Sequence, residues 1–346
     1  MKVKKILKRV GLVLLVLIIS AVIWQFELVN YGLMQLRGQL RVINQSIPLE
    51  EYLQDTTITA DQREKVQVVL EAKAFAFEKL GINYSENYST IFDQQGQPSM
   101  FVITACEPFA FRPRLWNFPI VGKFPYKGFF DREKAVDEAR RIREEEGMEV
   151  GLRTAGGWST LGWFKDPVLS NMLNRSEGDL ASLIIHELTH GTLFVKDSVT
   201  FNENLASFIG DRGAIMFLEE KYGEGSQEVS DFIDKNADEE AFKSYMLGAA
   251  QRLDSLYQTL TDLDLEKKVS LKAALIDDIK VNFDTVDFKS QRYVGYFDNF
   301  TPNNTFFMSL LRYNSQQDIL ALTLEQKFDG DLLAYLEYLK AQYPSL

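Results

Sequence analysis

The chain of 346 residues is poor in the two residue types that most often build sites and crosslinks: it has one cysteine and two histidines. A single cysteine, Cys106, excludes an intramolecular disulfide and with it a small scaffold stapled by bridges. It does not decide the compartment. Basic charge is also in short supply. The net charge is −11, and no basic stripe with interleaved aromatics occurs, which argues against nucleic acid as a partner. There is no internal repeat and no linker that would demand a third domain.

Both histidines fall in one block, His186-Glu187-Leu188-Thr189-His190. On a helix, residues four apart lie on one face, so both imidazoles can reach a single metal ion. Glu187 sits beside them, placed to take a proton from water activated there. The pattern therefore points to catalytic zinc, against a chance match on an ordinary buried helix. The flanks predict that helix. Ser176-Glu177-Gly178-Asp179 offers a capping hydroxyl and acidic first-turn residues, and Leu180, Leu183, Ile184 and Ile185 supply the apolar face. Gly191 and Thr192 leave its end open. The apolar run is too short to span a bilayer and is flanked by Asp179 and Lys196, which argues against an intramembrane protease.

Catalytic zinc usually takes three protein ligands and keeps one position open. With no third histidine, the extended histidine motif of metzincins is excluded. Cys106 lies in the apolar stretch Phe101-Val102-Ile103-Thr104-Ala105-Cys106 and reads as a buried strand residue. A carboxylate is therefore expected. Glu203, in Phe201-Asn202-Glu203-Asn204, is the best candidate, since it opens a second apolar-periodic segment able to return antiparallel to the first. Asp197 and Asp211 compete with it, and Asp211 could instead orient a ligand imidazole. The alternative for Glu203 is a capping box with Thr200 and no metal at all.

These residues resemble the bacterial putative aminopeptidases, zinc proteins with a His-Glu-x-x-His helix followed by a glutamate-bearing helix. The likeness is carried by further blocks: 31–40 (Tyr31 to Leu40), Trp116-Asn117-Phe118-Pro119-Ile120-Val121-Gly122, Pro125 to Asp131, and Ser159 to Phe164 with Asp166-Pro167. The resemblance implies a zinc-dependent, gluzincin-like peptidase in which His186, His190 and Glu203 are metal ligands and Glu187 is the catalytic base. Asn303-Asn304 also resembles a family feature. Members often carry a lipoprotein cysteine near the N-terminus, which is missing here.

The N-terminus carries Lys2, Lys4, Lys5, Lys8 and Arg9 before an apolar run from Val10 to Trp24. That order fits a signal peptide or an uncleaved anchor, and bulky Ile23 and Trp24 where a cleavage site would fall favour the anchor. The expectation is a single-pass protein of the bacterial cell membrane, with everything after residue 30 on the periplasmic side.

Further along, residues 61–80 read as a helix. Tyr88–Phe92 and Met100–Cys106, flanking a turn-rich stretch, read as a hairpin. A strand near 123–130, a charged helix over 132–146 and a strand over 149–153 follow. Trp158, Ser159, Thr160, Leu161 and Gly162 are candidates for an edge that pairs with an extended peptide substrate; the alternative is a packed connector. A helical hairpin with a break at 261–264 is expected over 228–284, and further helices over 304–313 and 329–343. Tyr293, Tyr296, Arg312 and Tyr313 are candidate oxyanion donors.

The fold expected is α+β, a zincin-like metallopeptidase lobe (31–225) with a helix-rich C-terminal part (226–346), preceded by a transmembrane helix within 1–30. The activity expected is zinc-dependent hydrolysis of peptide bonds. The alternatives are a membrane-tethered, zinc-containing binding or scaffold protein and a zinc hydrolase of a non-peptide or cell-wall amide. A purely structural zinc would have no need of Glu187.

Overall fold

The computed structural model describes residues 23–118, 122–156, 165–196, 198–313 and 317–343, with 4, 8, 10–13, 16 and 20 ahead of them. The chain divides into two compact units, Met1–Gln45 and Ser46–Leu346.

The first unit corrects the expected membrane anchor. Its principal described element is helix α1 (Phe26–Gln45), and this helix carries Glu27, Gln35, Arg37, Gln39, Arg41 and Asn44 along its length. Placing these charges and amides in hydrocarbon would be costly. Among the described residues no helix is long and apolar enough to cross a membrane. The transmembrane helix, the membrane as a partner and the single-pass periplasmic placement are therefore overturned.

The second unit corrects the expected α+β lobe, because its described residues are mostly helical. Helices α2 (Leu49–Tyr52) and α3 (Ala60–Lys79) come first, and α4 (Arg132–Glu145) lies between strands. Then come α5 (Glu177–Thr192), α6 (Val199–Tyr222), α7 (Gln227–Gln258), α8 (Leu265–Phe283), α9 (Asn304–Tyr313), α10 (Gln317–Phe328) and α11 (Leu332–Gln342). The strands run from two to six residues and never merge into one layer. β2 (Thr90–Phe92) lies between β1 (Ile47–Pro48), antiparallel, and β8 (Val168–Leu169), parallel. β3 (Phe101–Cys106) lies between β6 (Lys127–Phe129) and β7 (Glu149–Thr154). β4 (Trp116–Phe118) and β5 (Gly122–Phe124) pair by themselves.

The expected hairpin of β2 with β3 does not form, since both edges of each strand are already taken. The turn between them is bonded elsewhere. The Gln94 amide N–H donates to Ser170 Oγ at 2.8 Å, and its side chain donates to Ser99 Oγ at 2.8 Å.

Local signals explain the helices that frame the site. Thr59 and Gln62 form a reciprocal capping box at the start of α3. Ser176 Oγ accepts from the Asp179 amide and starts α5. Leu180, Ala181, Ile184, Ile185 and Leu188 of α5 are buried with Leu205, Ala206, Ile209 and Phe217 of α6, and these helices form the most extensive helix pair of the unit. Burying each large aliphatic side chain contributes about 1.5–3 kcal/mol. Gly210 allows the close crossing: a Cβ there would lie 2.8 Å from the Ser182 carbonyl oxygen and 3.2 Å from His186 Cβ.

α7 and α8 form an antiparallel hairpin, broken at 259–264 and restarted by Asp264, whose carboxylate caps the Lys267 amide. Phe242, Met246, Leu253, Ile279 and Phe283 fill its core.

Candidate metal centre

α5 presents His186 and His190 on one face, one turn apart. α6 faces them with Glu203. Between the two helices the chain turns through a short loop closed by Asn202. Its Oδ1 accepts from the Val195 amide and its Nδ2 donates to the Val195 carbonyl, both at 2.8 Å. This pair of hydrogen bonds to one residue's backbone ties the start of α6 to the loop before it and so helps aim the neighbouring Glu203. The capping alternative for Glu203 is not realised. The helix starts at Val199 after Ser198, and Glu203 is already inside it.

Three donor atoms converge. His186 Nε2 and His190 Nε2 are 3.2 Å apart, and Glu203 Oε2 lies 3.6 Å from the first and 3.8 Å from the second. A tetrahedral ion with bonds of roughly 2.0–2.1 Å separates its ligand atoms by about 3.3 Å. The spacing therefore fits one small ion bound by all three residues, and the group can hold a metal ion. Two imidazoles and a carboxylate suit zinc and other first-row transition ions better than calcium or magnesium, which favour oxygen.

The electrostatics agree with a cation site. Burial alone would raise the Glu203 carboxyl, but its bonds to the two imidazoles and their charge hold it well below the carboxylate range. Burial opposes charge on His186, yet Glu203, Glu187 and Asp211 together raise it above its ordinary value.

The surroundings are less symmetrical. Ser207, one turn beyond Glu203 on α6, brings its Oγ to 3.4 Å from His186 Nδ1 and so braces that ring with Nε2 inward. His190 Nδ1 is buried and has no hydrogen-bond partner among the described residues. Asp211 stands apart from the donor group, accepts from Ser182 Oγ at 2.8 Å, and has its carboxyl raised by burial. Cys106 is a buried strand residue whose thiol donates to the Ala110 carbonyl, and burial pushes it up to about 12.

The remaining candidates divide. Trp158, Ser159, Thr160, Leu161 and Gly162 lie outside the described residues, as do Asp197 and the side chains of Arg312 and Tyr313. Tyr293 belongs to the core of the α7–α8 hairpin and stacks on Phe242 at 4.7 Å, while exposed Tyr296 meets Phe242 edge-on at 5.1 Å. Sequence reasoning missed Asn202, Ser207 and Tyr88. Burial first, then the nearby Glu187 and Asp166 carboxylates, raise the Tyr88 phenol well above its ordinary value. Asn202 was adjacent to the chosen glutamate, and the serine one turn after it was the available signal for Ser207.

Residues 30–342 match the sequence profile of the family described as "Putative aminopeptidase". The chain belongs to the putative aminopeptidase family. The match spans both helices of the candidate centre, and the family's description points to peptidase activity and a peptide substrate. No curated protein and no solved structure gives a match.

Proposed function

We propose that this member of the putative aminopeptidase family is a zinc-dependent peptidase. His186, His190 and Glu203 would hold the ion, and Glu187 would serve as the catalytic base. The observation that carries the reading is the convergence of the three donors within 4.8 Å of one another, with a carboxylate next in sequence to the first histidine. Zinc supplies Lewis-acid chemistry when bound: it acidifies water and polarises a carbonyl.

The chain's own residues do the rest. Glu187 accepts the proton of the attacking water and returns it to the leaving amine. Ser207 keeps His186 turned so that Nε2 faces inward, and Asn202 keeps Glu203 in register with both rings. The separation of tasks is itself a support for the reading, because Glu187 is free of the duty of ligand that Glu203 takes.

Glu187→Gln tests it. The variant is expected to bind metal as the parent does while hydrolysing a peptide library at least about a hundredfold more slowly. Undiminished hydrolysis in Glu187→Gln would remove the proposed base.

A further inference from the structure

The two histidines of the centre are not held alike. His186 lies inside α5, and Ser207 braces its ring through Nδ1. His190 is the third residue from the end of the same helix, and its Nδ1 has no hydrogen-bond partner among the described residues. Its place therefore depends on the backbone of the last turn. That turn is weak by composition. Helix ends leave their final carbonyls without intrahelical partners, and they fray. Gly191, next to the ligand, is exposed and brings the conformational freedom that makes glycine a poor helix residue.

Thr192 supplies what the turn lacks. It is 2% exposed, and its hydroxyl makes two bonds at once. Oγ1 donates to the Leu188 carbonyl one turn back and accepts from the Asn83 amide, each at 3.0 Å. The hydroxyl's single donor and one of its lone pairs are thus both in use. Asn83 is itself anchored in the loop that leaves α3. There Gly81 takes φ 70°, and buried Ile82 returns its amide to the Ala76 carbonyl at 3.3 Å. Lys340 of α11 donates to the Gly81 carbonyl at 3.2 Å. The last turn of α5 is therefore tied through Thr192 to a loop that α3 and α11 both hold. Valine would fill the same space and make neither bond, so packing accounts for the methyl group but not for the hydroxyl.

We propose that Thr192 is a positioning residue for the metal ligand His190: its hydroxyl, held between the Leu188 carbonyl and the Asn83 amide, keeps the last turn of α5 closed and so keeps His190 in register with His186 and Glu203. The effect on the ligand rests on the zinc reading above; the pinning of the helix end does not.

The test compares the full chain with Thr192→Val, which keeps the shape and loses the hydroxyl, and with Thr192→Ser, which keeps the hydroxyl and loses the methyl. A positioning hydroxyl and a packed side chain rank these variants in opposite orders. Titration of the metal-free chains with zinc is expected to give an affinity about tenfold to a hundredfold weaker in Thr192→Val, and within about threefold of the parent in Thr192→Ser. Hydrogen exchange of the metal-free chains, followed by mass spectrometry, is expected to be at least about tenfold faster over residues 188–193 in Thr192→Val alone. Parental zinc affinity in Thr192→Val, or a loss in Thr192→Ser as large as in Thr192→Val, overturns the positioning role. Unchanged exchange in Thr192→Val overturns the pinning of the helix end. If Thr192→Val does not fold, Thr192→Ala against Thr192→Ser repeats the comparison, since both lack the methyl and only serine keeps the hydroxyl. A folded parent that takes up no zinc removes the metal centre and the positioning role together, and hydrogen exchange then decides the pinning by itself.

Discussion

Two clusters of polar side chains are buried in the second unit, and they are built on opposite principles. Around Lys272 the groups answer one another. Lys272 Nζ donates to Glu149 Oε1 and to the Pro108 carbonyl, both at 2.6 Å. Glu149 Oε2 accepts from the Asn304 amide at 2.7 Å, and the Asn304 side chain takes the Tyr257 hydroxyl at 2.6 Å while donating to the Glu107 carbonyl. Burial lowers the Lys272 ammonium, and Glu149 opposes that shift. The cluster needs nothing from outside, and it joins β7, α7, α8 and the start of α9.

Around His186 three potential ligand atoms converge instead. Two imidazole nitrogens face each other at 3.2 Å, and the other ring nitrogen of His190 has no partner among the described residues. A carboxylate closes the triangle, with Glu187 beside it. A buried polar cluster that satisfies itself holds a fold together, whereas one whose ligand-type atoms converge within metal-binding distance of one another is arranged for a ligand. That difference, more than the motif alone, sets the candidate centre apart from the Lys272 cluster.

The comparison can be broken most sharply at Glu203. Glu203→Ala should weaken zinc binding by more than a hundredfold, beyond the loss that a merely supporting residue causes, while the protein melts as a folded chain. Isothermal titration with zinc measures it, and unaltered affinity would remove Glu203 from the ligand set. The opposite signature is expected at Lys272. Lys272→Met leaves Glu149 without its cation and should lower unfolding stability by about 2–3 kcal/mol, reduced from the fully buried case because Glu149 is partly exposed. Its zinc affinity should not change; a loss of metal there would erase the distinction between the clusters.

A third buried cation sharpens the contrast. Lys73 bonds two neutral oxygens, and burial lowers it to about 8, against the opposing charges of Glu50 and Glu86. Between about pH 8 and its unfolded value near 10.5, the folded chain then carries fewer protons than the unfolded one, so this residue adds stability as pH rises through that window. The penalty is fully present below pH 8. Compared with Lys73→Met, the parent should gain on the order of 1–2 kcal/mol from pH 7 to pH 10.5, after discounting for solvent screening. Parallel curves from urea unfolding at the two pH values would contradict the assignment. The smallest effect is expected at Ser207, where alanine should weaken zinc binding about tenfold with little change in melting, since only the brace on His186 is lost.

Much of the centre was legible in the sequence because coordination chemistry constrains it. Helical spacing placed His186 and His190 together, and the lack of a third histidine turned attention to a carboxylate. Ser176 and the apolar residues after it marked α5 correctly. What could not be read depends on distant segments. β1 and β8 are two residues long and show no pattern, yet by occupying both edges of β2 they forbid the hairpin that Tyr88–Phe92 and Met100–Cys106 otherwise spell. The apolar N-terminal run invited a membrane reading, while the helix that follows it carries Arg37 and Arg41. Tyr88 gives no local sign of its left-handed backbone, which is held by bonds to and around it from Asp166, Asn87 and Lys73.

The most direct test of the contrast is the metal content of the purified full chain after zinc loading and desalting, measured by elemental analysis alongside Lys272→Met and Glu203→Ala. The account predicts one zinc per chain in the parent and in Lys272→Met, and none retained in Glu203→Ala. A folded parent that retains no zinc, or a Glu203→Ala variant that retains it fully, would contradict it.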